Sequence, residues 1–122
     1  MQKVTQWRKV AQEKRNRSTM KIAAVQANQV GALLCPRCGF HCLHHGRVTI
    51  FERQREDSDD LVMTVVDRSG TATSVADARS DNPSDRRHGL AIAFECEGCG
   101  EGIELTIAQH KGETHLAWRL SP

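Results

Sequence analysis

Two short stretches of this 122-residue chain carry most of its chemistry: Cys35-Pro36-Arg37-Cys38-Gly39 and Cys96-Glu97-Gly98-Cys99-Gly100. Two residues between cysteines let both sulfurs of a pair face one cation from a tight turn. The glycine that follows can take a positive φ without a Cβ clash, turning backbone N–H groups towards the sulfurs. Two such pairs make a closed four-thiolate site, the arrangement Zn²⁺ uses when its role is structural. A disulfide framework, a redox Cys-x-x-Cys and an iron–sulfur cluster are the competing readings. Two pairs with the same glycine favour zinc on Cys35, Cys38, Cys96 and Cys99.

Other reactive side chains are less organised. Phe40-His41-Cys42-Leu43-His44-His45 crowds a fifth cysteine and three histidines beside the first pair. Cys42 and His44 are substitute ligands should one cysteine fail to reach the metal. A nucleophilic role for Cys42 lacks a recognisable third member or oxyanion motif. Glu56, Asp57, Asp59 and Asp60 lack the glycine turn and terminal Glu of a calcium loop, and read as a solvated loop. Arg86 and Arg87 suit phosphate or carboxylate contacts, or else local ion pairs with Asp81 and Asp85. His110 and His115 read as polar residues beside a turn rather than a metal pair.

The elements that must position these groups are mainly strands. Residues 47–53 alternate, with Val48 and Ile50 on one side and Thr49 and Phe51 on the other. Residues 61–67 form an apolar β-branched run, and Arg68-Ser69-Gly70 turns it into a short peripheral strand over 71–75. Asn82-Pro83 opens a turn within an irregular stretch from 76 to 89. Leu90, Ile92 and Phe94 alternate into the second cysteine pair. Placing Gly112-Glu113 as the final hairpin turn pairs Ile107 with Trp118 and Leu105 with Leu120 on an apolar face. Thr106 and Arg119 then fall on a polar one. The expected fold is a mainly β, small α+β protein. It is a zinc-ribbon-like antiparallel domain over 31–122, with two Cys-x-x-Cys knuckles and a long β insertion carrying the 47–75 hairpins. A basic, helical arm over 1–30 precedes it. The helix-forming pattern runs from Met1 to about Ala27, while 22–30 also suits an entering strand.

The formal net charge of +2 conceals an asymmetry. Residues 1–21 hold seven basic side chains against Glu13, a net +6, which leaves −4 for the rest. A four-thiolate zinc site adds −2 to that body. Arg8, Lys9, Lys14, Arg15 and Arg17 are therefore the main candidates for an acidic partner, with Val4, Trp7 and Val10 forming a short apolar stripe among them. No apolar run is long enough to cross a bilayer, and the N-terminus lacks a signal-peptide core. Metal-type cysteine spacing without an export signal fits a reducing cytoplasm.

The two knuckles resemble the zinc-ribbon group. Asn82-Pro83-Ser84 through Arg87, Gly89-Leu90, the second knuckle and Gln109-His110-Lys111-Gly112 are similar to small uncharacterised bacterial proteins associated with phages and mobile elements, over about residues 31–120. The resemblance implies metal ligation by the four cysteines and no catalytic residue. Zinc ribbons serve transcription, replication and translation, mostly by binding nucleic acid or protein. The expectation is a non-enzymatic, zinc-stabilised accessory or regulatory module engaging nucleic acid or its machinery, with no small-molecule substrate. A phage or mobile-element protein that modulates a host protein is the alternative, and a thiol-redox protein the second.

Overall fold

Strand-forming residues and tight glycine turns recur along the chain, and seven strands result among the described residues. A computed structural model of the chain describes residues 21–55, 60–76 and 81–122. In chain order the strands are β1 (Lys21–Ala23), β2 (Leu43–Arg53), β3 (Leu61–Val66), β4 (Ala72–Ala76), β5 (Gly89–Cys96), β6 (Gly100–His110) and β7 (Glu113–Leu120). They form one antiparallel sheet in the order β1-β7-β6-β5-β2-β3-β4. No helix occurs among the described residues.

The sheet bears on three expectations. Lys21–Ala23, inside the stretch read as helix, is an edge strand beside β7. Residues 24–30 of the arm hold no helix either, Ala27 making an isolated bridge to Leu33. Residues 1–20, with Arg8, Lys9, Lys14, Arg15 and Arg17, lie outside the described residues, as do Glu56, Asp57 and Asp59. Second, the 47–75 hairpins, expected as an insertion between the knuckles, lie there and belong to the same sheet. β2 leaves the first knuckle, and β5 beside it delivers the second, so the ribbon strands continue into the larger sheet. Third, the last hairpin turns on Lys111-Gly112, both with positive φ (49° and 83°), and not on Gly112-Glu113. Leu105 therefore faces Trp118, and Ile103 faces Leu120. A two-residue slip preserves which face each side chain occupies, which is why alternation alone could not detect it.

Both faces of the sheet hold buried residues. On one, Trp118 and Ile103 are fully buried with Cys35 and Cys96, against Ala23, Val25, Leu33, Leu43, Phe94 and Leu105. Phe94 meets the Trp118 ring edge-on, with centroids 5.6 Å apart. The segment from β1 to the first knuckle thus covers one end of the sheet. On the other face, Phe51, Leu61 and Ala91 form a second cluster with Met63. There, Ala117, Thr106, Ala91 and Thr49 make a cross-strand row of small side chains, all buried.

The supposedly polar face is the more deeply covered around β6 and β7. Glu104 and Arg119, cross-strand partners, are 2 % exposed. Arg119 Nε donates to Glu104 Oε1 at 2.9 Å, and Arg119 Nη1 donates to the carbonyl of Asp81 at 2.6 Å. The loop that follows is cross-braced. Asn82 Nδ2 donates to Arg87 O (2.8 Å), Asn82 Oδ1 accepts from Ser84 N, and Ser84 Oγ donates to Gln109 O (2.6 Å). A Cβ on Gly89 would overlap Asn82 Oδ1 and press on Pro83, so this crossing requires glycine.

Candidate metal centre

Each cysteine pair sits on a turn built for it. In the first, Gly39 N donates to Cys35 O and Cys35 N donates to Phe40 O, both at 2.9 Å. Gly39 and Gly100 carry φ of 77° and 93°, the left-handed conformation that a side chain would strain. The strands then bring the turns together. Leu43 pairs with Cys96, and Glu97 N donates to Cys42 O at 3.1 Å. Arg37, inside the first pair, donates from Nη2 to the carbonyls of Gly100 (3.1 Å) and Glu101 (2.7 Å), tying one knuckle to the exit of the other.

The four Sγ atoms lie within 4.8 Å of one another. Cys35 and Cys99 approach to 3.5 Å, as do Cys38 and Cys96. All four are free thiols, and a disulfide would need ~2.05 Å between sulfurs. The spread suits one cation instead, since a tetrahedron with ~2.3 Å metal–sulfur bonds has edges of ~3.8 Å. Both of these 3.5 Å contacts run between the knuckles. One cysteine of each pair is buried, Cys35 and Cys96, and the other is exposed. Four cysteines therefore cluster as in a zinc ribbon and could hold a metal ion.

Their ionisation points the same way. Burial pushes the Cys35 thiol up, but backbone hydrogen bonds from Cys38 and Arg37, with those from the Cys99 and Cys38 thiols, outweigh it and lower it to about 6. Cys99 is pushed up to about 12 by burial and by hydrogen bonds with Cys35, Cys96 and Cys38. At Cys38 the Phe40 backbone bond favours the thiolate, yet contacts with Cys96 and Cys35 carry the net shift upward. The Cys35 proton leaves readily while those of Cys38 and Cys99 are retained, because adjacent thiolates repel. A dication reverses that preference.

The substitute ligands are placed elsewhere. A hydrogen bond with Glu97, then burial and the Glu97 charge, push the Cys42 thiol up. His44 Nε2 also faces Glu97, 3.6 Å from Oε2. Both side chains thus address Glu97 and stand outside the four-thiol group. His41 stacks on Phe40.

The arginine loop is held by its backbone. Arg87 N donates to Ser84 Oγ at 3.0 Å, and Arg53 donates to Asp85 O. Arg86 is exposed and Arg87 half-buried. His110 and His115 lie with ring centroids 5.8 Å apart, and His115 Nε2 meets Glu113 Oε1 at 2.9 Å.

Sequence reasoning missed the ionic centre on the covered face. Glu104 binds Arg119 and also Arg47, at 3.4 Å. Alternation places Thr106 and Arg119 on the more polar face of the hairpin, and no local signal marks the loop that covers them. No protein-family model matches the chain, nor does any curated protein or solved structure.

Proposed function

We propose that this chain is a non-enzymatic, zinc-stabilised binding module. It acts as an accessory or regulatory protein that engages nucleic acid or a protein of its machinery. The observation that carries the reading is the cluster of four thiols on two knuckles, with sulfurs within 4.8 Å. In a closed four-thiolate site the metal has no open position for substrate, so its role is to hold β2, β5 and β6 together at one end. The residues present fit zinc: four soft ligands in tetrahedral reach, two buried and two exposed. The seven basic residues of 1–21 supply the charge that a phosphate backbone recognises.

A second reading is a phage or mobile-element protein that binds a host protein without touching nucleic acid. It is favoured by ion pairing of arginines in the body: Arg47 and Arg119 with Glu104, Arg68 with Glu95, and Arg55 with Asp60. Native mass spectrometry of protein grown with zinc tests the common part, and one zinc per chain is expected. Fluorescence anisotropy with labelled single- and double-stranded DNA and RNA, in rising salt, separates the two readings. Binding that weakens steeply with salt supports nucleic acid. No binding at low salt removes nucleic acid as a direct ligand. A metal-free folded protein would overturn both.

A further inference from the structure

The two edges of the sheet are constructed differently. β1 is three residues long, and its register with β7 is irregular. Such shortness and irregularity blunt an edge against further pairing. β4 at the opposite edge is regular over all five residues of its pairing with β3, and every residue is exposed. Its sequence, Ala72-Thr73-Ser74-Val75-Ala76, holds no charge, proline or glycine. Val75 is 47 % exposed. Among the described residues, no strand lies beyond β4.

The direction of its backbone groups follows from the turn. Asp67 N donates to Thr71 O at 3.1 Å, which makes Asp67–Thr71 a hydrogen-bonded pair. Antiparallel ladders alternate bonded and non-bonded pairs. Val65–Thr73 and Met63–Val75 are then the bonded pairs, and Val66–Ala72, Thr64–Ser74 and Val62–Ala76 the others. The N–H and C=O groups of Ala72, Ser74 and Ala76 therefore point away from the sheet.

The strand is also self-complementary. Turned end for end about Ser74, it sets Ala72 against Ala76 and Thr73 against Val75, side chains of matching or nearly equal size. We propose that the free edge of β4 is a homodimerisation site, where a second copy of this chain pairs antiparallel with Ser74 opposite Ser74. The Ser74 pair and the two Ala72–Ala76 pairs would each exchange two backbone bonds, about six in all. The partner is the same surface about a two-fold axis, so the contact closes and does not propagate along this edge. Two seven-stranded sheets would join into one of fourteen strands. Five residues per copy is a small contact beside the ~1,600 Å² of a standard interface, so a dissociation constant of about 10–1,000 μM is expected.

Sedimentation velocity of the zinc-loaded full chain, from about 5 μM to 1 mM, tests this. A monomer–dimer equilibrium is expected over that range. Ser74→Pro removes an N–H that β3 does not use and should weaken the dimer at least about 10-fold while the monomer stays folded. Ser74→Lys sets like charges face to face and should do the same, which covers the case in which the proline variant fails to fold. Ile22→Lys, on the opposite edge, should leave dimerisation unchanged. A wild-type chain that stays monomeric at the highest concentration overturns the proposal. So does a dimer that survives Ser74→Lys, or one lost in Ile22→Lys.

Discussion

Glu104→Gln is the most informative single substitution in the body of the protein. Glu104 and Arg119 are 3 % and 2 % exposed as side chains, with 2.9 Å between charged atoms, while Arg47 contacts the same carboxylate at 3.4 Å from a side chain 48 % exposed. Neutralising Glu104 keeps its shape and an amide oxygen that still accepts from Arg119 Nε, but leaves the guanidinium buried without that countercharge, with the Asp81 carbonyl as its other acceptor. Stranding one member of a buried pair costs about 3–5 kcal/mol, and the retained carbonyl bond places the expected loss at about 3 kcal/mol. Arg47→Ala removes a half-exposed partner and should cost under about 1 kcal/mol. Glu104→Leu with Arg119→Met removes both charges, and it should be less destabilising than Glu104→Gln alone. Urea unfolding at fixed zinc activity measures all three variants. With a slope of about 1.5 kcal/mol per molar, Glu104→Gln should lower the midpoint by about 2 M. Hydrogen exchange should rise at residues 81–85, because Arg119 holds that loop. A loss below about 1 kcal/mol for Glu104→Gln, or a double variant that loses as much as Glu104→Gln or more, would refute the argument.

Cys99→Ser should weaken metal binding by more than about 100-fold, whereas Cys42→Ser should leave one metal per chain; metal titration with a chromophoric competitor reads both. Gly89→Ala should destabilise by about 1–3 kcal/mol, since the added carbon meets Asn82 and Pro83 within a braced loop, and thermal melts check it. Asp67 Oδ1 accepts from Ser69 Oγ, Ser69 N and Thr71 N, which holds its carboxyl below the ordinary range. A depressed pKa stabilises above the unfolded value of 3.8 and loses that contribution as pH falls through the folded one. Asp67→Asn should therefore melt lower than wild type at pH 6, with the gap closing as pH drops below about 4.

The knuckles were legible because metal ligation imposes local spacing and a glycine that the backbone needs, both visible within five residues. The strand character of 47–53, 61–67 and 90–95 was legible too, since alternation and β-branching are local properties. Residues 21–23 were harder. Good helix formers there yield to pairing with β7, and a three-residue edge strand carries no periodicity of its own. The hairpin turn shows a different limit. Both candidate turns place glycine in a two-residue loop and give identical faces, so only the packing of Leu105 against Trp118 separates them.

Residue types and spacing by themselves determined a β-rich chain, four thiols in two like pairs, and a charge imbalance between residues 1–21 and the remainder. Those properties depend on a handful of neighbouring residues and the backbone preferences they impose. Tertiary structure alone decided that the knuckles meet with their sulfurs crossed between pairs and that Arg37 braces one against the other. It also decided that Glu104 and Arg119 are buried beneath the 81–88 loop, and that β4 is the outermost strand among the described residues. Each depends on contacts between residues distant in the chain, where closure entropy and burial set the outcome and no local pattern records it.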